Sequence, residues 1–121
     1  LFLYSNAGHN PPILLKSKSN KVEFLQPTGP VLGPAPEAKY YVDSINFAKG
    51  DVLLLYSDGI TESANGDFEP YGDEKLLSKL KSLSEMTAKE IVLGILEDVI
   101  KFSKNGKYSD DMTLVVIKKM K

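Results

Sequence analysis

The 121-residue sequence contains no cysteine and only one histidine. The lack of cysteine excludes disulfide bonds and thiolate zinc sites, and it is compatible with a reducing compartment. The longest apolar runs are far shorter than the roughly 20 residues that cross a bilayer, and no signal-peptide pattern is present. We therefore expect a cytoplasmic protein whose segment here makes no membrane contact.

Charge of one sign is not in excess: 15 lysine and arginine residues face 16 aspartate and glutamate residues, scattered along the chain. This balance argues against nucleic acid as a partner, because such binding needs a basic patch. The length fits one globular domain without an internal linker. An apolar run opens the chain at Leu1 without a methionine, so we expect a piece of something longer.

Apolar patterning and turn residues predict six strands, over residues 1–5, 13–16, 22–25, 40–47, 52–57 and 112–117. Two helices are predicted between the last two strands. Leucines recur at helical spacing after Asp73, and Thr87 with Glu90 forms a capping box before a second apolar stripe. The strands over 52–57 and 112–117 are apolar at consecutive positions, which predicts that both of their faces are covered. An α+β domain with a largely antiparallel sheet follows.

Acidic pairs adjoin both of these strands: Asp58-Gly59 follows the first, and Asp110-Asp111 precedes the second. Either pair alone could form a turn, and Asp-Gly between apolar runs is a strong hairpin signal. However, residues 60–63 are too short and polar for a good return strand. Residues 64–72 resemble a long surface flap punctuated by glycine.

The relative direction of the two strands decides whether the acids share a site. If the strands are antiparallel neighbours, Asp58 and Asp110 meet at one sheet edge. If they are parallel, the acids lie about 20 Å apart, at roughly 3.3 Å per residue. Converging carboxylates need a cation between them, and oxygen ligands without cysteine or a second histidine favour Mg²⁺ or Mn²⁺ over zinc.

Three stretches, in order, resemble the later motifs of the SpoIIE-type, or RsbU-like, bacterial serine/threonine phosphatases of the metal-dependent type 2C (PPM) superfamily. They are residues 6–12 (Asn-Ala-Gly-His-Asn-Pro-Pro), 50–62 and 110–116, and residues 65–68 and 71–72 match the family's loop before the helices. The resemblance implies an antiparallel β-sandwich flanked by helices, an α+β fold. Residues 1–121 would be the C-terminal part of one such domain, incomplete at the N-terminus.

The resemblance also implies a two-metal centre, holding Mn²⁺ or Mg²⁺, at one edge of the sandwich. Asp58 matches the metal-binding aspartate of the Ser-Asp-Gly motif, and Asp110 matches the aspartate of the closing Asp-Asp-x-Thr motif. Gly59 is expected to let the backbone turn away beside the ion. Asp111 is given a supporting part, because adjacent residues in extended chain point opposite ways.

Family members hydrolyse phosphoserine or phosphothreonine on a phosphoprotein, commonly an anti-sigma-factor antagonist, and normally carry an upstream sensor or receiver domain. The family's other metal-binding aspartates lie upstream of the first motif, and no acid here precedes Glu23. We therefore expect this fragment to be weak or inactive alone and prone to form a homodimer through open core surfaces.

Two alternatives to the enzyme remain. The domain could be a non-catalytic phosphatase-like binding module in a signalling protein, or a structural domain in which all the acids form turns.

His9 could serve as a catalytic acid. Local hydrogen bonds that shape the turn before Pro11 are the preferred interpretation of this histidine, and no catalytic residue beyond the metal ligands is assigned.

Overall fold

The computed structural model describes residues 1–106 and 110–121. Within those ranges it contains six strands and three helices. Their bounds are β1 Phe2–Tyr4, β2 Ile13–Leu15, β3 Val22–Phe24, β4 Asp43–Ile45, β5 Val52–Tyr56, α1 Asp58–Thr61, α2 Gly72–Ser82, α3 Ala88–Phe102 and β6 Leu114–Lys118.

The strands form two sheets in which every pairing is antiparallel. One sheet pairs β1 with β4, and the other has the order β3-β2-β5-β6. The hairpin predicted from residues 13–16 and 22–25 is the β2–β3 pair. The α+β prediction with an antiparallel sheet is confirmed.

β5 lies at the centre of the larger sheet, and both of its faces are covered. Val52, Leu54 and Tyr56 pack in a core cluster with the helices. Leu53 belongs to a second cluster, against which Leu55 and the small sheet pack. Alternate side chains of a strand point to opposite faces, so a run of apolar residues here fills two core layers. The prediction for this strand is confirmed.

β6 differs from the prediction that both of its faces are covered. Leu114 and Val116 pack on the helix side. On the other face Val115 and Ile117 keep 46% and 40% of their surface exposed. The small β1–β4 sheet, whose strands have three residues each, leaves this face of β6 open.

The first and fourth strands are shorter than predicted, and both are partly exposed. Phe2 packs on the second core cluster, but Leu3 points outward and is 61% exposed, so β1 is not a buried strand. β4 spans only Asp43–Ile45 rather than residues 40–47, since its partner offers just three residues for pairing. Tyr41 and Val42 before it are exposed.

Both predicted helices are present and cover one face of the larger sheet. The capping box at the start of α3 is complete: the Thr87 hydroxyl accepts from the Glu90 N–H at 3.2 Å, and the Glu90 carboxylate accepts from the Thr87 N–H at 3.1 Å. The buried side chains of the two helices are Leu76, Leu80, Ile91, Ile95 and Val99. In the described ranges, no helix combines the length and the apolar character needed to cross a membrane.

A partly buried ion pair fixes the turn that leads into β5. The side chain of Asp51 is 2% exposed and lies 2.6 Å from the ammonium of Lys16, the residue that follows β2. Its oxygens also accept hydrogen bonds of 2.9 Å from the backbone N–H groups of Ser17 and Ala48. Burial would raise the pKa of Asp51, but these donors outweigh it and lower the pKa. The carboxylate thus stays ionised and ties two turns together.

Candidate metal centre

The end of β5 and the start of β6 lie side by side at one edge of the sheet. Tyr56 pairs with Leu114 in the antiparallel ladder. Beyond the ladder, the Ser57 N–H donates to the Thr113 carbonyl at 3.0 Å, and the Thr113 N–H donates to the Ser57 hydroxyl at 2.9 Å. The antiparallel arrangement is confirmed, and the parallel one is excluded. The segments that carry the acidic pairs therefore share this edge.

Asp58 begins a helix and does not form a hairpin turn. Ser57 is the extended N-cap residue of α1, and the four residues of this helix run from Asp58 to Thr61. Ile60 is fully buried in the main core, and the Ser63 hydroxyl donates to the Gly59 carbonyl at 2.7 Å. This packing turns the chain away from the sheet after β5. The Asp58 side chain is left exposed at the sheet edge.

Gly59 lies directly against the backbone of the other acidic segment. A Cβ atom at Gly59 would be 1.9 Å from the Asp111 carbonyl oxygen. Gly59 has helical dihedral angles, so its backbone conformation does not itself demand glycine. Glycine is required here because two backbones approach closely, and that approach brings residue 111 beside residue 58.

Asp110 and Asp111 are both exposed in the extended segment before β6. The Asp111 N–H donates to the Asp110 carboxylate at 2.7 Å, and the Ser57 hydroxyl donates to the Asp111 carbonyl at 3.4 Å. The carbonyl of Asp111 thus binds the β5 side of the edge. The side chain of Asp110 is held locally by its neighbour's amide.

The loop over residues 6–12 also reaches this edge, which the sequence interpretation did not predict. The Asn10 side-chain amide donates to the Asp58 carboxylate. β2 is antiparallel to β5, with Ile13 opposite Leu54, so the loop before β2 meets the residue after β5. The sequence analysis did not predict that β2 pairs with β5. That pairing would have indicated the contact between Asn10 and Asp58.

His9 makes the local hydrogen bonds that were expected of it. Its N–H donates to the Asn6 side-chain oxygen at 2.8 Å, and its Nδ1 lies 2.9 Å from the Asn10 carbonyl. Its ring is exposed and lines a cavity of about 570 Å³ between the two sheets. These hydrogen bonds support the interpretation that His9 shapes the loop.

The surroundings of Tyr56 at this edge raise the pKa of its phenol. Burial raises its pKa most, and the nearby charges of Asp73 and Asp58 raise it further. Its hydroxyl lies 3.5 Å from an Asp73 carboxylate oxygen, to which it donates. The phenol therefore stays protonated at neutral pH.

The donor chemistry of this edge fits Mg²⁺ or Mn²⁺, since both metals prefer carboxylate oxygen ligands. Within residues 1–106 and 110–121, however, no group of three or more histidine, cysteine or acidic side chains converges as a metal site would require.

The sequence profile of the family described as Stage II sporulation protein E (SpoIIE) matches residues 1–119. The chain belongs to the SpoIIE family. The phosphoserine phosphatase RsbU of Bacillus subtilis strain 168 is 32% identical over 120 residues, which cover 98% of this chain and 35% of RsbU.

Solved structures of two phosphatase domains have the same fold as this SpoIIE-family chain. The SiaA-PP2C domain of Pseudomonas aeruginosa superimposes with a TM-score of 0.77 at 15% identity, over 96% of this chain and 45% of that one. The phosphatase domain of SpoIIE from Bacillus subtilis gives 0.65 at 28% identity, over 93% and 47%. A manganese-presoaked crystal of that domain gives 0.64 at 24% identity, over 94% and 48%.

These comparisons confirm the SpoIIE/RsbU-like resemblance and the type 2C phosphatase fold. They also show how much of each relative this chain spans. It covers 35% of RsbU, 45% of the SiaA-PP2C domain and 47% of the SpoIIE phosphatase domain. The curated relative and the structural neighbours are phosphatases of a metal-dependent superfamily, which does not favour a non-catalytic binding module.

Proposed function

We propose that this chain is the C-terminal part of a metal-dependent serine/threonine phosphatase domain. One observation carries the proposal: the antiparallel β5–β6 pair brings the segment with Asp58 against the segment with Asp110 and Asp111, in a SpoIIE-family chain. The name of RsbU, a phosphoserine phosphatase, supports the reaction.

In this proposal Asp58 and Asp110 hold Mn²⁺ or Mg²⁺ at the sheet edge. Gly59 contributes by letting the backbone of residue 111 approach, and Asp111 has a supporting part, through its carbonyl contact with Ser57. A bound divalent metal would activate water for hydrolysis of the phosphomonoester and would offset charge on the phosphoryl oxygens. The manganese-presoaked crystal of the SpoIIE domain supports manganese as one of the metals that the site would bind.

The remaining metal ligands would come from the part of the phosphatase domain that precedes these residues. Coverage of 45% and 47% of the two related phosphatase domains supports this division. So does the open apolar face of β6, where Val115 and Ile117 line the cavity between the sheets. On this proposal the isolated chain is weak or inactive as an enzyme.

The substrate that the family suggests is a phosphoprotein, such as an anti-sigma-factor antagonist or a similar regulator. An upstream sensor or receiver domain would control the activity, and the reaction would take place in the cytoplasm. These partners are inferred from family membership, since function belongs to a site rather than to a fold.

Calorimetric titration with Mn²⁺ tests the proposal, on this chain and on the full-length protein, each beside its Asp58→Asn variant. Turnover of a phosphoserine peptide is measured in parallel. We expect saturable binding that the variant loses, with turnover only by the full-length protein. The substitution keeps the size of the side chain and removes its charge.

A Glu37→Gln variant serves as the matched control, because Glu37 is exposed in a loop outside the sheet edge. It should bind Mn²⁺ like the wild type. If the full-length protein binds no Mn²⁺ and hydrolyses no peptide, the phosphatase assignment is wrong, and a phosphatase-shaped binding module replaces it.

A further inference from the structure

The loop over residues 6–12 is held so that one side chain, Asn10, is aimed at Asp58. Asn6 closes the loop from within: its buried side-chain oxygen accepts from the His9 N–H at 2.8 Å, and its side-chain amide donates to the His9 and Leu25 carbonyls at 3.2 and 3.0 Å. Both polar ends of Asn6 are therefore used within the protein.

The two ends of the loop are fixed independently. On one side, the Asn6 N–H donates to the Thr28 hydroxyl at 2.8 Å, and its carbonyl accepts from the Thr28 N–H at 2.8 Å. On the other side, the Leu25 N–H donates to the Pro12 carbonyl at 2.9 Å, directly before β2. Asn10 lies between these anchors, and Pro11 after it restricts its backbone to extended conformations.

The loop also packs closely against Val31 at Gly8. Its φ of +77° lies in the left-handed region, and a Cβ atom there would be 2.6 Å from a Val31 methyl carbon and 2.9 Å from the Val31 nitrogen. Asn10 is half-buried at the point where the loop faces the end of β5.

We propose that Asn10 is a positioning residue that orients the Asp58 carboxylate toward the metal. Its side-chain amide donates to Oδ1 of Asp58, which leaves Oδ2 for the ion. An amide donor fixes the orientation of the carboxylate without neutralising its charge, so the acid still attracts a cation. The inference rests on the proposed function, because it requires Asp58 to be a metal ligand.

The contact joins residues 48 positions apart in sequence, and the adjacency of β2 and β5 maintains it. Preorganising a ligand lowers the conformational entropy that binding must remove, and partners of this kind typically change metal affinity by about 10- to 100-fold. Asn10 thus acts on metal affinity through Asp58, whereas Asn6 acts on the shape of the loop.

Two variants of the full-length protein test this assignment. Asn10→Ala removes the side-chain amide, and Asn10→Leu removes the donor while keeping similar size. Both should weaken Mn²⁺ binding in calorimetry by about 10-fold, the lower end of the effect expected for such partners. The melting temperature of the metal-free protein should stay close to that of the wild type, since the loop keeps its Asn6 anchors.

The control is Asn65→Ala, because the Asn65 side chain makes its hydrogen bonds within the loop over residues 64–70. This variant should keep wild-type Mn²⁺ affinity. If Asn10→Ala and Asn10→Leu bind Mn²⁺ as tightly as the wild type, the role of Asn10 is refuted, whether or not they melt earlier. If the Asp58→Asn variant binds Mn²⁺ as tightly as the wild type, the proposed metal centre itself is wrong.

Discussion

The Tyr71 hydroxyl donates a 2.6 Å hydrogen bond to the Asp98 carboxylate and so joins the start of α2 to the middle of α3. The buried tyrosine ring lies edge-on to Phe102, with 5.6 Å between the ring centroids. Burial, and then the hydrogen bond and charge of Asp98, raise the pKa of Tyr71 above its ordinary value.

Tyr71→Phe should lower the free energy of unfolding by about 1 kcal/mol at pH 7, the typical net value of one hydrogen bond. Because the pKa is higher in the folded state, the contribution of the phenol is complete below about pH 10, where the unfolded chain ionises, and falls as pH rises further. The stability difference between wild type and Tyr71→Phe should therefore shrink above pH 10. Urea unfolding at pH 7 and pH 11 measures it; a difference independent of pH would contradict this.

Gly59→Ala should destabilise the protein, because its Cβ would collide with the Asp111 carbonyl. Overpacking of this kind costs about 1–3 kcal/mol. The separation of the two backbones should also weaken Mn²⁺ binding by the full-length protein. Urea unfolding and calorimetry measure the two effects.

Gly66→Ala is the control for Gly59→Ala, since its nearest contact would be a tolerable 3.4 Å, to the Asn105 carbonyl oxygen. We expect its stability to change by less than about 0.5 kcal/mol. Equal stability of the two alanine variants would show that the close approach at Gly59 is not required.

Asp51→Asn should cost about 2 kcal/mol at pH 7, because it removes the charge that Lys16 and two backbone amides stabilise. The pKa of Asp51 is lowered in the folded state, so this stabilisation is present above about pH 4 and is lost as pH falls through the folded-state pKa. The difference between wild type and variant in urea unfolding should therefore narrow as pH falls below about 4. A constant gap between pH 7 and pH 2 would be inconsistent with this linkage.

Thr87→Ala should lower the free energy of unfolding by about 1 kcal/mol, since it removes the hydroxyl that caps α3. Thr87→Ser keeps the hydroxyl and should remain within about 0.5 kcal/mol of the wild type. Chemical denaturation of the three proteins tests the capping box. Equal losses in both variants would indicate that the threonine methyl group, rather than the cap, is responsible.

The open face of β6 should make the isolated chain self-associate. Val115 and Ile117 form an exposed apolar row on a strand that has one neighbour among the described residues. Val115→Lys should shift the chain toward monomer in sedimentation equilibrium, whereas Leu93→Lys, at an exposed site on α3, should not. A wild-type chain that is monomeric at high concentration would rule this surface out as a dimer interface.

Local pattern in the sequence was enough to predict the helices and the central strand. The leucine spacing and the Thr87–Glu90 capping box depend on residues within a few positions of one another, so local rules locate α2 and α3. The consecutive apolar residues of β5 report burial on two faces, and the structure provides both core layers. The same pattern in β6 was misleading, because an apolar side chain can point to a face that these residues do not cover.

The sequence by itself determined the antiparallel α+β class, the acidic pairs that adjoin two strands and the family to which the chain belongs. Only the tertiary structure decided that β2 lies beside β5, that Gly59 meets Asp111, and that Asn10 reaches Asp58. These contacts join residues about 40 to 50 positions apart, and no local propensity encodes them. They arise because strand order and register place distant segments at one edge of the sheet.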